Sequence, residues 1–477
     1  MNYSGFDVYE KSIHKVNVSG KRVEVFMAKD GDDAVLVVNS GKGKNPGFKG
    51  EKLPDGRIKA PLNHENANIL RKLFPFTAPS RVLRKERSFG LGDRLGIATP
   101  GHIKLFEKYD AYPVFAQQSI RELNLTNRTY EDVLDCVSFA VFRDDFKKKW
   151  GADGDHLKTV QEVKYALSLG YSMITLDCSE HIKNDVTTEN APDLPKKLAQ
   201  KYLGKQFNIG EGLVLSFTEP ELKMINGIYG EAIAFAVDIY RRFFKGGKYK
   251  ADFEISIDET ITPTTPLQHY FVAKELVDAG VSFATMAPRF CGEFQKGIDY
   301  IGDLSQFKKE IKVHAAIARH FKYKLSIHSG SDKFSVFPSI GRETQHIFHV
   351  KTAGTNWLEA MRVVAEVDPA LYREVHKYAL SAFDEARKYY HVTTDIKKIP
   401  GLGSVQDADL PKLFENNDSR QLIHITYGLI LNHKNADGSF AFKDRLYKIW
   451  KQREDVYTKA LVRHIGKHLD RLGVKKG

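Results

Sequence analysis

The segment DFEISID, residues 252–258, alternates polar and apolar side chains along its whole length. Successive side chains of a β-strand point to opposite faces, so the two kinds of residue separate. The apolar face carries Phe253, Ile255 and Ile257. The other face carries Glu254, Ser256 and Asp258. We expect the apolar face to contact a layer of helices and the polar face to line the inside of a barrel.

Short apolar runs alternate with long amphipathic segments on both sides of this stretch, from about residue 85 onward. This alternation predicts βα units around a parallel sheet. Eight runs give the strand count of a closed (β/α)8 barrel of the TIM type. They lie at 88–91, 113–119, 172–177, 252–258, 281–287, 324–328, 347–352 and 391–395. An open doubly wound sheet is the alternative, and 421–425 competes with 391–395 for the eighth place.

The 477 residues divide into three predicted parts. Residues 1–84 are rich in short β-branched runs and turn residues, which is typical of a β-rich N-terminal region. Residues 85–435 form the predicted catalytic barrel. Residues 436–477 are charged and amphipathic, and we expect them to form a C-terminal helical extension packed on the barrel.

The composition is that of an ordinary globular protein, with 42% hydrophobic and 28% charged residues. No apolar run is long enough for a transmembrane helix, and the polar N-terminus does not resemble a secretory signal. The three cysteines, Cys136, Cys178 and Cys291, are far apart and odd in number. A disulfide framework is therefore not expected, and we predict a cytoplasmic protein.

A formal net charge of +12 is compatible with nucleic-acid binding or with attraction of small anionic substrates. The basic residues are scattered and do not form one long stripe, which favours the small anion. We expect a sugar-acid substrate and neither a nucleic-acid nor a membrane partner. The sequence leaves assembly into a homo-oligomer open.

Ionisable side chains follow the predicted strands, at the end of a barrel where catalytic groups lie. Burying several charges is costly unless they are paired or bind a metal, and this cost indicates an enzyme. The donors available for a divalent cation are His181, His328, His349, Asp177, Asp258 and Glu259. Their spacing forms no compact metal motif. A hydrogen-bonded structural role is equally compatible with His328 and is favoured for His181 and His349.

Other strand ends offer groups that would bind a substrate. Arg289 and Lys351 are candidates for an anionic group. Asp93 lies in the glycine-rich loop at residues 90–96, which lacks the GK[ST] of a phosphate-binding loop. We expect Asp93 and Gln118 to line the pocket as well.

Four stretches together are similar to the tagaturonate epimerase family. They are SFGLGDRLGIATPGH (residues 88–102), LDCSEH (176–181), IHSGSDK (327–333) and KTAGT (351–355). The resemblance runs from about residue 85 to about residue 430, with these unusual segments in the same order.

This resemblance implies an isomerase that interconverts D-tagaturonate and D-fructuronate in hexuronate catabolism, using a divalent metal such as Mn, Zn or Ni. It implies Asp177 and Glu259 as the acid/base carboxylates and His328 as the first metal ligand. His181 and His349 are further ligands on the basis of position alone.

The inverted carbon carries the β-hydroxyl and is not adjacent to the ketone, so simple enolisation cannot invert it. Retro-aldol cleavage and re-formation of the bond can, whereas transient oxidation would need a nicotinamide, for which there is no dinucleotide fingerprint. Other readings are another barrel sugar enzyme (a ketose epimerase, an aldose–ketose isomerase or a class II-like aldolase) and a non-catalytic binding protein for sugar acids or nucleic acids.

Overall fold

Eight parallel strands close into a barrel in the computed structural model, which describes residues 5–41 and 43–477. Each strand pairs with the next one along the chain, and the eighth pairs with the first. The first to eighth barrel strands are Arg87–Leu91, Tyr112–Ser119, Gly151–Leu157, Met173–Asp177, Asp252–Ile257, Thr285–Pro288, Lys324–Ile327 and Phe348–Thr352. The predicted (β/α)8 barrel is confirmed, and the open sheet is excluded.

The third barrel strand, Gly151–Leu157, corrects the predicted strand list. Residues 391–395 contain no strand, and the competing run 421–425 lies in the helix Asn417–Ile425. The sequence GADGDHL has no apolar run, and glycine and aspartate are depleted in strands. It is extended because strands pair with it on both sides. Gly154 is needed there, since a Cβ would lie 3.0 Å from the Cβ of Ala166 in the covering helix.

Helices surround the barrel and cover the apolar outer face of its strands. They are Thr99–Phe106, Ile120–Thr126, Tyr130–Arg143, Val160–Ser168, Lys196–Tyr202, Glu219–Phe243, Pro266–Asp278, Leu304–His320 and Phe337–Glu343. The long connection after the fourth strand also contains the hairpin of Phe207–Gly210 and Leu213–Leu215. Thr265 and Gln268 form a reciprocal capping box, which fixes where the helix Pro266–Asp278 begins.

The N-terminal segment forms a six-stranded antiparallel sheet followed by the helix His64–Leu73. Its strands are Asp7–Val8, His14–Val18, Lys21–Asp30, Asp33–Asn39, Glu51–Lys52 and Ile58–Ala60. One face of this sheet packs on Phe139 and Phe142 of the barrel helix Tyr130–Arg143. The sheet is thereby attached to the outside of the barrel.

The segment after the eighth strand is helical and has its own hydrophobic core. Its helices are Thr355–Val367, Pro369–Ser381, Phe383–Ala386, Asn417–Ile425, Tyr427–Asn432, Lys443–Gln452 and Glu454–Arg471. Trp357 and Trp450 are completely buried in this core, so it draws on residues on both sides of position 435. In the described part of the chain, every helix is too short or too polar to cross a membrane.

Replacing Leu461 by alanine tests how firmly the last helix is docked. Leu461 is 1% exposed and packs against Gly101 of the helix Thr99–Phe106. We expect Leu461→Ala to lower the free energy of unfolding by about 2–5 kcal/mol, because it leaves a cavity. Urea denaturation measures the change. The matched control, Leu304→Ala, removes a leucine that is 40% exposed and should have a much smaller effect. Equal effects would contradict the docking.

Candidate active site

A cavity of about 320 Å³ opens at the end of the barrel where the strands finish. This is within the size range of small-molecule sites. Its polar lining side chains are Gln117, Ser119, Arg121, Glu122, Asp155, His156, Asp258, Glu259, Arg289, Glu293, Gln295, Lys296, His328, Ser329, Lys351, Thr352 and His391. His391, the first residue of the segment that was predicted to be the eighth strand, forms part of the cavity wall together with Tyr389 and Tyr390, which precede it.

Two imidazoles and one carboxylate converge at the bottom of this cavity. His156, Asp258 and His328 each place a ligand atom within 4.8 Å of those of the other two. His156 is the last residue but one of the third strand and has a φ of 54°, a left-handed conformation that is rare for a residue other than glycine. Such strained residues cluster at functional sites, which makes this trio the candidate centre.

Each imidazole has one nitrogen held by a buried carboxylate and the other directed towards Asp258. His156 Nδ1 lies 2.8 Å from Asp155 Oδ1, and His328 Nε2 lies 2.8 Å from Glu254 Oε1. The remaining nitrogens, His156 Nε2 and His328 Nδ1, lie 4.0 Å and 3.2 Å from Asp258 Oδ1. Metal-binding histidines are oriented by carboxylates in this way, and imidazole with carboxylate suits Zn, Mn or Ni. The residues therefore fit a divalent cation.

The electrostatics of the trio favour a positive charge among its members. Burial alone would lower the pKa of His156, but Asp155 raises it to about 10. Burial acts to raise the pKa of the Asp258 carboxyl, yet His328 holds it well below its ordinary range. Because Asp258 stays ionised, a bound cation would find a charged oxygen ligand in place.

Below the trio, the ammonium of Lys351 neutralises the acids inside the barrel. Its Nζ lies 2.8 Å from Asp153 Oδ2 and 3.4 Å from Glu254 Oε1, and it also pairs with Asp155. It donates to Thr175 Oγ1 at 2.7 Å. Burial raises the pKa of Asp153 to about 6 despite the opposing charge of Lys351. This network makes the buried acids tolerable and holds the carboxylates that orient the two histidines.

The two predicted acid/base carboxylates lie on either side of Lys158. The Nζ of Lys158 is 3.6 Å from Asp177 Oδ2 and 3.9 Å from Glu259 Oε2. Asp177 is buried, and its Oδ1 accepts a hydrogen bond from the backbone N–H of Ser179. Glu259 is half-exposed and lines the cavity, whereas Asp177 does not. The structure thus brings both acids near the mouth but exposes only Glu259 to a ligand.

Of the three predicted metal-binding histidines, the structure places only His328 in the trio. His181 lies in the 3-10 helix Ser179–His181 and stacks on Phe235 at a ring distance of 4.2 Å. His349 is buried at the second position of the eighth strand, below the mouth, where its Nδ1 lies 3.0 Å from Ser88 Oγ. Burial lowers the pKa of His349 to about 3. Neither His181 nor His349 lines the cavity.

Two of the four predicted substrate-binding residues line the cavity, and the other two are buried outside its lining. Arg289 and Lys351 line the cavity, but the guanidinium of Arg289 donates to the carbonyls of Thr260 and Ile261. Asp93 is buried outside the lining, where it accepts backbone N–H groups of the loop that follows the first strand. Gln118 is also buried outside it, and Gln117 lines the cavity instead.

Sequence reasoning missed the contribution of the third strand, which supplies Asp153, Asp155 and His156. A signal existed, because Asp153 and Asp155 stand at alternate positions, as Asp252 and Glu254 do in the fifth strand. The lack of apolar residues between them concealed it. Lys296 was also missed, because it lies in the loop after the sixth strand and not at a strand end.

Comparisons with known proteins agree over almost the whole chain. A family model described as tagaturonate epimerase, UxaE, matches residues 9–472. The tagaturonate/fructuronate epimerase of Thermotoga maritima is 41% identical over 490 residues, which cover 98% of this chain and 97% of that protein. A glycerol complex of the fructuronate-tagaturonate epimerase UxaE from Cohnella laeviribosi is 47% identical, with a TM-score of 0.94 over 98% of this chain and 97% of its own. The native structure of that protein gives 47% and 0.93, covering 99% and 97%.

Substitution of Lys351 by methionine tests the buried charge network. We expect Lys351→Met to lower the free energy of unfolding by about 3–5 kcal/mol, because it leaves carboxylates buried without their counter-charge. Urea denaturation of the metal-free protein measures this change. The control, Lys164→Met, alters an exposed helical lysine and should change stability by about 0.5 kcal/mol or less. A stability of Lys351→Met equal to that of the control would refute this role.

Proposed function

Since this chain belongs to the tagaturonate epimerase family, we propose that it interconverts D-tagaturonate and D-fructuronate with the help of a divalent cation. The enzyme is an isomerase that acts on hexuronate keto acids. The observation that carries the metal-dependent mechanism is the convergence of His156, Asp258 and His328 at the bottom of the cavity.

His156, Asp258 and His328 would hold the cation. Asp155 and Glu254 support this assignment, because each holds one nitrogen of an imidazole and directs the other nitrogen towards Asp258. When bound, a divalent cation would act as a Lewis acid on the ketone oxygen of the substrate and stabilise developing negative charge there. Mn, Zn and Ni are the candidates on ligand chemistry.

Inversion at the β-hydroxyl carbon proceeds in this proposal by breaking and re-forming one carbon–carbon bond. The hydroxyl loses its proton, its carbon becomes an aldehyde, and the electron pair of the broken bond passes to an enediolate on the ketone half. The aldehyde half then turns and presents its other face. The enediolate attacks that face, the bond re-forms, and the new alkoxide takes back a proton, so that atoms and electrons balance without a redox partner.

Asp177 and Glu259 are the pair that we propose to move the hydroxyl proton. Glu259 lines the cavity and would meet the hydroxyl, whereas Asp177 would act on it through Lys158, which lies near both carboxylates. The Oδ2 of Asp177 is buried and faces the Lys158 ammonium at 3.6 Å, which is the contact through which it would act. The side chains that line the cavity would keep the aldehyde half in place until the bond re-forms.

Metal removal tests the role of the trio. We expect chelation to abolish the interconversion of the two hexuronates, followed by NMR of the products, and Mn, Zn or Ni to restore it. His156→Ala and His328→Ala should bind less than a tenth of the metal bound by the unmodified protein, as measured by elemental analysis. His181→Ala is the matched control and should retain its metal, because His181 stacks on Phe235 away from the trio. Full activity in a metal-free preparation would eliminate the proposed mechanism.

Amide substitutions test the two carboxylates. Asp177→Asn and Glu259→Gln should each lower kcat by about 10²–10⁴, the usual contribution of general acid–base catalysis. Melting temperatures should change little, because the amides keep the shape of the side chains. Glu180→Gln is the matched control, since Glu180 also lies near Lys158 but its side chain is 62% exposed. Near-normal turnover in both test variants would remove the pair from the mechanism.

A further inference from the structure

Lys296 is a basic residue of the cavity without an acidic partner. It lies in the loop that follows the sixth barrel strand and lines the cavity. Its Nζ donates to Ser329 Oγ at 3.1 Å. Among residues 5–41 and 43–477, no carboxylate oxygen lies within 4.0 Å of this ammonium. A cationic group held in a cavity in this way is available for an anionic ligand.

The other basic side chains of the cavity already have partners within the protein. Lys351 neutralises the acids inside the barrel, and the guanidinium of Arg289 donates to two backbone carbonyls. Arg121 lies 3.8 Å from Glu259 Oε1 and 5.1 Å from the ring of Tyr390. Lys296 is therefore the basic group whose charge is least compensated.

The two acids whose charges act on Lys296, Glu122 and Glu259, are paired with other basic residues. Glu122 accepts a hydrogen bond from Arg94 at 3.0 Å, and Glu259 is shared between Arg121 and Lys158. Burial, and then the charge of Arg121, lowers the pKa of Lys296. A carboxylate supplied by a ligand would reverse this effect, because it would place a negative charge beside both cations.

Side chains from two other segments hold the backbone around Lys296 by hydrogen bonds to its carbonyl groups. Arg420 Nε donates to Gly297 O at 2.7 Å, and Gln421 Nε2 donates to Lys296 O at 3.2 Å. Lys333 Nζ donates to Gln295 O at 2.8 Å and to Ile298 O at 2.6 Å. These bonds fix the loop on both sides of Lys296, so its side chain starts from a preorganised backbone.

We propose that Lys296, with Arg121 beside it, binds the carboxylate of the substrate and so makes the site select hexuronates over uncharged sugars. This inference rests on the proposed function and names the residue that recognises the acid. In the retro-aldol sequence the carboxylate belongs to the aldehyde half. A lysine is a point charge with rotatable donors, so it holds that half while allowing the turn that inversion requires.

Direct binding tests this assignment independently of turnover. Isothermal titration calorimetry compares D-gluconate, which has a carboxylate, with D-glucitol, which does not, on the metal-loaded enzyme. We expect K296M to bind D-gluconate at least about tenfold more weakly, close to its binding of D-glucitol. K296R keeps the charge and should retain most of the affinity. K308M, which alters an exposed lysine on the helix Leu304–His320, should match the unmodified protein.

Stability and metal content separate ligand binding from a structural role. K296M removes an uncompensated charge, so its melting temperature should be unchanged or higher and its metal content should be unchanged. If K296M aggregates, K296Q replaces it under the same criteria. The KM for D-tagaturonate should rise at least about tenfold in K296M. The inference is overturned if K296M binds D-gluconate as tightly as the unmodified protein, or if it loses metal or stability together with affinity. Failure of the unmodified protein to interconvert the hexuronates would instead refute the proposed function.

Discussion

The ammonium of Lys351 makes it possible to bury three carboxylates, those of Asp153, Asp155 and Glu254, inside one closed barrel. Without a counter-charge, such a cluster would be protonated or would destabilise the fold, because charged groups are poorly solvated in an apolar interior. Thr175 reinforces the arrangement: its Oγ1 lies 3.0 Å from Asp153 and 3.1 Å from Glu254, so its one hydroxyl hydrogen bonds either carboxylate while its oxygen accepts from Lys351. The network joins the third, fourth, fifth and eighth strands, so the closure of the barrel and the chemistry of its interior depend on the same contacts.

The orientation of the candidate metal ligands follows from this network. Lys351 keeps the carboxylates of Asp155 and Glu254 ionised. Each of them is hydrogen-bonded to one ring nitrogen of a histidine, Asp155 to His156 and Glu254 to His328. The other ring nitrogen of each histidine is thereby directed towards Asp258. Lys351 was predicted from its position at a strand end to bind the substrate, but it has three acidic partners within the protein. Its position in the cavity wall serves the site indirectly, through the histidines.

Much of the fold and part of the site could be predicted from the sequence. Alternation in residues 252–258 correctly identified the inward face of a barrel strand, and the strand-end rule found His328 and Asp258. The third strand was missed because its residues have low strand propensity. Its aspartates belong to the interior charge network, and Gly154 allows the close approach of a helix. His349 shows the limit of the strand-end rule. A shift of two residues along a strand decides whether an inward-facing side chain reaches the mouth of the barrel or stays below it. His181 lies beyond the strand end, where the path of a loop cannot be read from periodicity.

The distribution of charge in the cavity also orients a sugar acid within it. The trio at the bottom has one carboxylate, Asp258, and two more, Asp155 and Glu254, lie behind its histidines, which suits a cation. Lys296 and Arg121 lie instead in the loop and helix that form the wall. A hexuronate has its ketone near one end and its carboxylate at the other. An orientation with the ketone end near the trio would bring the carboxylate to Lys296, whereas the reverse orientation would place the carboxylate beside Glu254 and Asp155 and leave the ammonium of Lys296 without an anionic partner. In this orientation the bond that the proposed retro-aldol step would break lies between the two anchors, so each half of the cleaved substrate would remain attached at its own end.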